Sequence, residues 1–360
     1  VMANMVSAFF SRGVDSTEIF SKLKIAESTG YKKHLNTHDV IRIDFSRMPR
    51  NCNSYDKYIE RIERILIQDL MEAYPKADIQ EEDAVWDSLD LVYERYGCQR
   101  FIFVFDEWDC IFHKDFITDE DKKKYISFLS SLLKDKAYVL LSYMTGILPI
   151  AKYSSGSELN MFAEYTMVSE EKFSDAFGFT EAEVDMLYAR FLKNTGKPLL
   201  SRSGLKEWYD GYHAKGGERI YNPRSVVMAL TNNNLGNYWT SSGPYDEIYY
   251  IEKNVAGVRN DLALMVSGES VEAKVQEYAA TSMELTTREE IFSAMVVYGF
   301  LSSEEGKVRI PNRELMERFD EMLQKEPSLG YVYRLARESK RMLEATLHGD
   351  THVMEQILEY

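Results

Sequence analysis

Two adjacent carboxylates follow the most apolar short segment of the chain. The segment FIFVF, residues 101–105, is continuously hydrophobic, and Asp106 and Glu107 come directly after it. A strand that is apolar on both faces is typical of the centre of a parallel sheet, and ligands of such sheets bind beyond the carboxyl ends of the strands. One carboxylate there can help to hold Mg²⁺ while its neighbour polarises a water molecule. The alternative interpretation is that both acids only begin a surface loop, because short acidic motifs often occur by chance.

A small hydroxyl follows the next apolar segment. YVLLSY, residues 138–143, is predicted as a second buried strand, and Thr145 and Gly146 come just after it. The carboxyl ends of parallel strands meet at one edge of a sheet, so Thr145 is expected to point into the same crevice as Asp106. The hydroxyl could sense the terminal phosphate of a nucleotide. The alternative is an ordinary turn.

Alternating strands and helices must position these side chains. Hydrophobic periodicity predicts helices over 1–11, 55–74, 84–96 and 121–134, and strands over 40–45, 101–105, 138–143 and 163–168. This order predicts a doubly wound α/β domain with a parallel sheet.

The pattern changes after about residue 180, where helices dominate. Capping boxes at Thr180 and Thr287 predict two helix starts. LSSEEGKVRI, residues 301–310, is predicted as a hairpin, and Pro311 begins another helix. Helix, hairpin, helix is compatible with a winged-helix module, although other α+β fragments share that order. Residues 331–357 are predicted as one or two further helices.

An aromatic cluster surrounds an Asp-Gly pair at residues 208–212, WYDGY. Such a sequence usually forms a packed turn. Trp208, Tyr209 and Tyr212 are therefore interpreted as structural. Pro223, after Asn222, is predicted to be the first residue of a helix.

Composition excludes several classes of protein. No apolar run reaches the roughly 18 residues that cross a bilayer, and no signal peptide is recognisable, so a cytoplasmic protein without membrane contact is expected. The three cysteines form no C-x-x-C pair, which suits a reducing compartment. The net charge of −15 disfavours tight binding to bare nucleic acid. No G-x-S-x-G or H-E-x-x-H occurs, and His348 and His352 have no third ligand nearby that would predict a zinc site.

Taken together, the segments resemble a bacterial AAA-ATPase-like family of P-loop ATPases, often fused to a C-terminal nuclease-like domain of the PD-(D/E)XK type. The segments that carry the resemblance are, in order, MVSAFFSRGVDSTEIFSKLKI, VFDEWD, TGILPIAKYSSGSELNMF, FGFTEAEV, WYDGYH and YNPRSVV. The resemblance implies a P-loop NTPase-type parallel sheet flanked by helices, followed by a mostly helical region with a winged-helix-like module.

The resemblance also assigns roles and cofactors. Asp106 matches the Walker B acid that holds Mg²⁺, Glu107 matches the neighbouring catalytic base, and Thr145 matches the position after the fourth strand. ATP and Mg²⁺ are the implied ligands. Trp108 stands where tyrosine is common in the family, and both residues are aromatic.

The sequence departs from the family at the phosphate-binding loop. No G-x-x-x-x-G-K-[ST] occurs, although the family has this loop just before the helix that residues 1–10 resemble. Val1 is not a natural start, so the loop is expected to have been removed or to have been left out of the sequence. The lysine and backbone N–H groups of that loop grip the phosphates. Very weak nucleotide binding by this exact chain is therefore expected.

Three regions and two functions follow from this interpretation. The regions are an ATPase α/β domain lacking its phosphate-binding loop over 1–180, a helical and winged-helix-like region over 181–325, and a helical connector over 326–360 towards an absent C-terminal domain.

The first hypothesis is an ATP-hydrolysing switch, in which ATP binds between the α/β core and a helical lid and rearranges them. The alternative is a non-enzymatic platform for protein interaction with a degenerate nucleotide site. A protein partner or self-association suits either one. Nucleic acid is expected only through the absent domain, because the winged-helix-like region carries acids at Glu289, Glu290, Glu314 and Glu317.

Overall fold

Two compact units make up the chain. The computed structural model describes residues 1–148, 150, 158–167, 172–173, 176–241, 255–276, 285, 287–325 and 330–358. Unit 1 comprises Val1–Ala163 and unit 2 comprises Glu164–Tyr360.

A three-stranded parallel sheet forms the centre of unit 1. Its strands are β1 (Asp39–Asp44), β2 (Phe101–Asp106) and β3 (Val139–Met144), in the order β1-β2-β3. Residues 101–105 of the central strand are all buried. This explains their continuous apolar sequence, because both faces of a central parallel strand are covered.

In the described part of unit 1, six α-helices accompany this sheet. They are α1 (Met2–Phe10), α2 (Thr17–Phe20), α3 (Tyr31–His34), α4 (Tyr55–Ala73), α5 (Val85–Arg95) and α6 (Asp119–Leu133). Helix α4 begins where the Ser54 hydroxyl accepts a hydrogen bond from the Lys57 N–H, and α6 begins with a capping box between Thr118 and Asp121. Each cap satisfies N–H groups that have no partner within the helix.

Helix α1 packs on one face of the sheet and runs opposite to the strands. Ala3 is buried against Ile102 and Val104 of β2. The carbonyl groups of Phe9 and Phe10, at the end of α1, accept hydrogen bonds from the backbone N–H groups of residues 36 and 38, just before β1. The C-terminal end of α1 thus lies at the amino edge of the sheet, and its N-terminal end points toward the carboxyl edge.

The three strands of the sheet lie where the sequence predicts them. The prediction of a fourth strand over residues 163–168 was wrong. Residues 163–167 form no strand, and residue 168 lies outside the described residues. Residues 163–167 are half-buried or exposed, so a strand there would have no apolar face to bury. The Met167 carbonyl accepts one backbone hydrogen bond, from Lys215, instead of joining a ladder.

Unit 2 is mostly helical, with short strands. Its helices are α7 (Glu181–Asn194), α8 (Arg202–Tyr209), α9 (Pro223–Asn232), α10 (Arg259–Val266), α11 (Arg288–Val297), α12 (Arg313–Lys325), α13 (Gly330–His348) and α14 (Thr351–Leu358). Its strands are β4 (Tyr212–His213), β5 (Arg219–Ile220), β6 (Val271–Glu272), β7 (Ser302–Glu304) and β8 (Lys307–Arg309). The capping boxes at Thr180 and Thr287 open α7 and α11 as predicted.

The WYDGY segment joins distant parts of unit 2. The hydroxyl groups of Tyr209 and Tyr212 donate to the carbonyl groups of Gly236 and Gly299, at 3.0 and 2.8 Å. Gly211 has φ +112°, and a Cβ there would lie 1.9 Å from the Pro311 carbonyl oxygen. These contacts agree with a structural role for the two tyrosines.

The predicted hairpin at 301–310 is present between two helices. Strands β7 and β8 pair antiparallel, with β6 on the other side of β8, and α11 and α12 flank the hairpin in the chain. Glu314, which the sequence argument counted as a surface acid, is buried. Its carboxylate accepts hydrogen bonds from the Ser225 hydroxyl at 2.7 Å and the Trp239 N–H at 2.6 Å. A buried carboxylate is tolerated there because backbone and hydroxyl donors satisfy it.

No helix in the part of the chain that the structure describes combines the length and the apolar character needed to cross a membrane.

Candidate functional site at the carboxyl edge of the parallel sheet

Three polar side chains come together where the strands of unit 1 end. Asp44 and Asp106 are direct partners in the register of β1 and β2, and Thr145 follows β3. Neighbouring strands lie about 4.8 Å apart, so the three residues form a short row across the edge. Alternation along the strands puts this row on the same face as Val104 and α1.

Thr145 and Asp106 are joined directly. The Thr145 hydroxyl donates a hydrogen bond to Oδ1 of Asp106 at 2.6 Å. Nη2 of Arg42 lies 3.9 Å from Oδ2 of the same carboxylate, which is about 20% exposed. Asp106 is therefore held from two sides and still reaches solvent.

Glu107 has a backbone conformation that is rare for its residue type. Its φ is +54°, in the left-handed region, which costs a residue with a side chain about 1–3 kcal/mol. Hydrogen bonds on both sides of it fix this turn: the Trp108 N–H donates to the Thr145 carbonyl, and the Cys110 N–H donates to the Glu107 carbonyl. The turn points an exposed carboxylate away from the buried strand.

The surroundings of Glu107 favour its protonated form. Partial desolvation by the neighbouring protein raises the pKa of Glu107, and the carboxylates of Asp109, Asp106 and Asp44 raise it further. A carboxylate with a raised pKa is better suited to accept a proton than an ordinary surface glutamate.

The pKa of Asp44 is shifted in the opposite direction to that of Glu107. Desolvation acts to raise the pKa of Asp44, but hydrogen bonds from Ser46 and Arg47 outweigh it, and the pKa is lowered. Two carboxylates at one edge of the sheet thus have pKa values shifted in opposite directions, an arrangement that often separates an acid–base group from a permanent charge.

Asp109 and Trp108 support the loop that carries Thr145. Oδ2 of the buried Asp109 accepts hydrogen bonds from the N–H groups of Ile147 and Leu148, at 2.7 and 2.6 Å. The Tyr125 hydroxyl donates to the Trp108 carbonyl at 2.7 Å. A Cβ on Gly146 would lie 2.4 Å from the Trp108 ring, so only glycine fits there without a shift. The turn after β2 and the turn after β3 therefore pack against each other and hold each other in place.

The start of α1 faces this acidic row. Val1, the residue before α1, lies within electrostatic range of Glu107, and α1 is nine residues long. The first N–H groups of a helix lack partners within the helix and carry partial positive charge. A helix start beside carboxylates that could share a cation is suited to binding an anion together with that cation.

The donor set fits a magnesium ion shared with a phosphate. Among the described residues, no three or more His, Cys, Asp or Glu side chains are arranged to hold a metal ion. Mg²⁺ usually keeps several waters and binds one or two carboxylates together with substrate phosphates, without an all-protein cage. Asp106 and the Thr145 hydroxyl therefore suit Mg²⁺ that arrives with a nucleotide, and not a resident metal centre.

The sequence predicted that Asp106, Glu107 and Thr145 lie at one edge of the sheet. It did not identify three residues near them: Asp44, Arg42 and Asp109. Asp44 also ends a strand, so the rule that identified Asp106 could have found it. Arg42 lies two residues earlier on the same face, and this alternation was the only signal for it. Nothing in the sequence distinguished the buried Asp109 from an exposed acid, because its partners lie 38 and 39 residues away.

Comparison with known proteins agrees with this architecture over unit 1. Residues 1–155 match the model of an AAA-ATPase-like family, described as a predicted AAA-ATPase. The family resemblance is thereby confirmed for that part of the chain. No curated protein and no solved structure matches the chain.

Proposed function

We propose that this chain, whose residues 1–155 match the AAA-ATPase-like family, is part of an ATP-binding and ATP-hydrolysing switch with a P-loop NTPase-type fold. The observation that carries the proposal is the pair formed by Asp106 and Thr145 at the carboxyl edge of a parallel sheet, joined at 2.6 Å. The start of α1 and the raised pKa of Glu107 at the same edge support it.

Each residue of the row has a proposed task. Asp106 holds Mg²⁺, which would neutralise charge on the ATP phosphates when bound. Glu107 accepts a proton from the attacking water and orients it toward the terminal phosphate. Thr145 fixes the Asp106 carboxylate through its hydrogen bond and senses whether the terminal phosphate is present.

Hydrolysis would change the position of unit 1 relative to unit 2, as in other nucleotide switches. In unit 2, α11, the β7–β8 hairpin and α12 form a winged-helix-like module in this proposal, which serves as a contact surface for a protein partner or a second copy. The acids Glu289 and Glu317 make this surface unsuited to nucleic acid.

The edge of the sheet supports a larger nucleotide domain. Among the described strands β3 lies at an edge of the sheet, and its consecutive residues Leu140 and Leu141 are each 43% exposed. A further parallel strand with its helix would bury both leucines. A strand ending in a phosphate-binding loop would fit this place and supply the missing lysine.

The first test is removal of the Asp106 carboxylate. Titration calorimetry with ATP and Mg²⁺ is made on the full-length gene product, on the 360-residue chain and on Asp106→Ala in the longer form. We expect the full-length product to bind and Asp106→Ala to lose about tenfold or more in affinity when Mg²⁺ is present. The loss should be smaller in EDTA, because the carboxylate acts through the metal.

A matched control is Asp87→Ala. Asp87 is exposed and lies near Tyr138, before β3, at the opposite edge of the sheet. It should bind ATP as the unaltered protein does. If neither the full-length product nor the shorter chain binds ATP, the switch is wrong and the non-enzymatic interaction platform is favoured.

A second prediction concerns pH. Glu107 can accept a proton only when ionised, and its pKa is raised, so ATP turnover should fall with decreasing pH at a higher pH than an ordinary glutamate would give. Asp44→Asn removes one of the repelling carboxylates and should move this loss to lower pH. The profile of kcat between pH 4.5 and 8 checks both statements, and an identical profile for Asp44→Asn would contradict them.

A further inference from the structure

His213 is a buried histidine of unit 2 that joins strands from distant parts of the sequence. It is the last residue of β4, and β7 lies against β4. The backbone N–H of His213 donates to the Ser302 hydroxyl at 3.1 Å, and Nδ1 of its ring lies 3.3 Å from the same oxygen. Ser302 is the first residue of β7. The backbone and ring of His213 therefore help to hold the β7–β8 hairpin against β4.

The contacts of the His213 ring suit its neutral form. Nε2 lies 3.3 Å from Oε1 of Glu304, and an ionised carboxylate can only accept, so Nε2 carries the hydrogen. Nδ1 can then accept a hydrogen bond from the Ser302 hydroxyl. A proton added to Nδ1 would face the hydrogen of that hydroxyl, so protonation of the ring would break this bond.

The charged side chains that the described residues place around the ring sum to zero. They lie between α8 and β4 and on β5, β7 and β8, and are Asp210, Arg219, Glu304 and Arg309. Nη2 of Arg219 pairs with the buried Asp210 carboxylate at 2.7 Å. Nη2 of Arg309 lies 3.9 Å from Oε2 of Glu304. These four residues and His213, which we call the His213 cluster, are therefore neutral together only while the ring is uncharged.

Arg309 opposes a positive charge on the ring. Its Nη2 lies 3.5 Å from Nδ1 and 3.4 Å from Nε2, so it is almost equally near both nitrogens and cannot lie on the hydrogen-bonding axis of either. A guanidinium stays charged in proteins, and the exposed Glu304 offsets it only through water. Burial, Arg309 and Arg219 lower the pKa of His213 and outweigh Glu304 and Asp210, which act to raise it.

We propose that His213 forms a pH-sensitive contact between β4 and the β7–β8 hairpin, and that protonation of its ring lets the hairpin separate from β4. A histidine in contact with solvent takes up a proton below about pH 6.5, whereas the ring in the His213 cluster resists it. The contact is therefore at full strength above this pH and weakens as the pH falls toward the lower pKa of the folded protein. The inference goes beyond the proposed ATP switch and does not depend on it, because the whole cluster lies in unit 2.

Hydrogen exchange of the full chain at two pH values tests this contact. After correction for the intrinsic pH dependence of exchange, the amides of His213, β7 and β8 should lose about threefold or more of their protection between pH 8 and pH 5.5. His213→Gln keeps hydrogen-bonding groups and cannot take up a proton, so the same amides should be equally protected at both pH values. Unchanged protection in the unaltered protein, or an equal loss in His213→Gln, would overturn the proposal.

The matched control is His352→Gln. His352 is exposed on α14 of the same unit, so this variant should lose protection at low pH as the unaltered protein does. Local exchange is measured instead of a denaturation midpoint, because the pKa of His38 in unit 1 is also lowered and would contribute to the midpoint. Loss of the pH response in His352→Gln would place the titrating group outside the His213 cluster and overturn the assignment.

Two charge variants keep the histidine and test the inference even if His213→Gln does not fold. Glu304→Gln removes an anion beside Nε2 and should lower the pKa of His213 further. Arg309→Gln removes the cation beside the ring, so it should raise that pKa and reduce the loss of protection at low pH. Titration of the His213 ring protons by NMR measures both changes. Shifts in the same direction, or no shift in either variant, would overturn the proposal.

Discussion

Glu107→Gln in the full-length protein is expected to bind ATP with Mg²⁺ normally and to turn it over about 10²–10⁴-fold more slowly. Glutamine keeps the size and hydrogen-bonding reach of the side chain and cannot accept the proton of the attacking water. Asp106 and Thr145 keep their mutual hydrogen bond, so the binding of the nucleotide should be spared. Phosphate release at saturating ATP gives the turnover, and calorimetry gives the affinity.

The control for this substitution is Glu94→Gln. Glu94 is exposed in the last turn of α5, which leads into the amino end of β2, so it lies at the other edge of the sheet. The rate of ATP turnover by Glu94→Gln should equal that of the unaltered protein. Normal turnover in Glu107→Gln would show that Glu107 does not accept the proton. Asp106 would then contribute only to nucleotide binding.

A stability measurement separates catalysis from a structural role. The raised pKa of Glu107 means that its ionised form is disfavoured in the folded protein relative to the unfolded chain. Neutralising it should therefore leave the denaturation midpoint at pH 7 unchanged or higher. Substitution of a residue that stabilises the fold would lower the midpoint. Residues that serve function, in contrast, often destabilise the folded protein.

The local elements of unit 1 could be predicted because their signals are short-range. The apolar run 101–105 specifies a strand buried on both faces, and the observed β2 spans Phe101–Asp106. The order β1-β2-β3 could not be obtained in this way, because every possible order keeps the same local sequence. Residues 163–168 have a similar local signal, but among the described residues no strand pairs with residues 163–167.

The candidate site was predictable to the extent that it follows from strand ends. Asp106 and Thr145 each follow an apolar strand, and parallel strands end at one edge, so their proximity could be inferred without coordinates. The left-handed backbone of Glu107 and the burial of Asp109 depend on contacts with the loop after β3. The roles of these residues in ATP hydrolysis stay predictions.

Unit 2 was harder to predict because its polar groups are satisfied over long distances in sequence. Glu314 follows a helix start and was interpreted as a surface acid, yet its partners lie 74 to 89 residues away. A single sequence does not indicate which carboxylate will find such donors. The same limit applied to WYDGY, where the turn could be predicted and its partners could not.

Gly211→Ala should be among the most damaging single substitutions in unit 2. The added Cβ would lie 1.9 Å from the carbonyl oxygen of Pro311 and 2.8 Å from its carbonyl carbon. These are backbone atoms, so no side chain can turn aside to make room. The φ of +112° adds the ordinary cost of a side chain in that region. We expect a loss of about 3 kcal/mol or more in the free energy of unfolding.

Gly217→Ala separates the two contributions. Gly217 also has a positive φ, +84°, but a Cβ there would meet nothing within 4 Å. It should cost only about 1–2 kcal/mol, the backbone contribution alone. Urea denaturation followed by circular dichroism gives the free energy of unfolding of both variants. The difference between their losses is the energetic cost of the clash with Pro311. Equal losses would mean that the WYDGY turn can move away from Pro311, and that it does not fix the segment before α12.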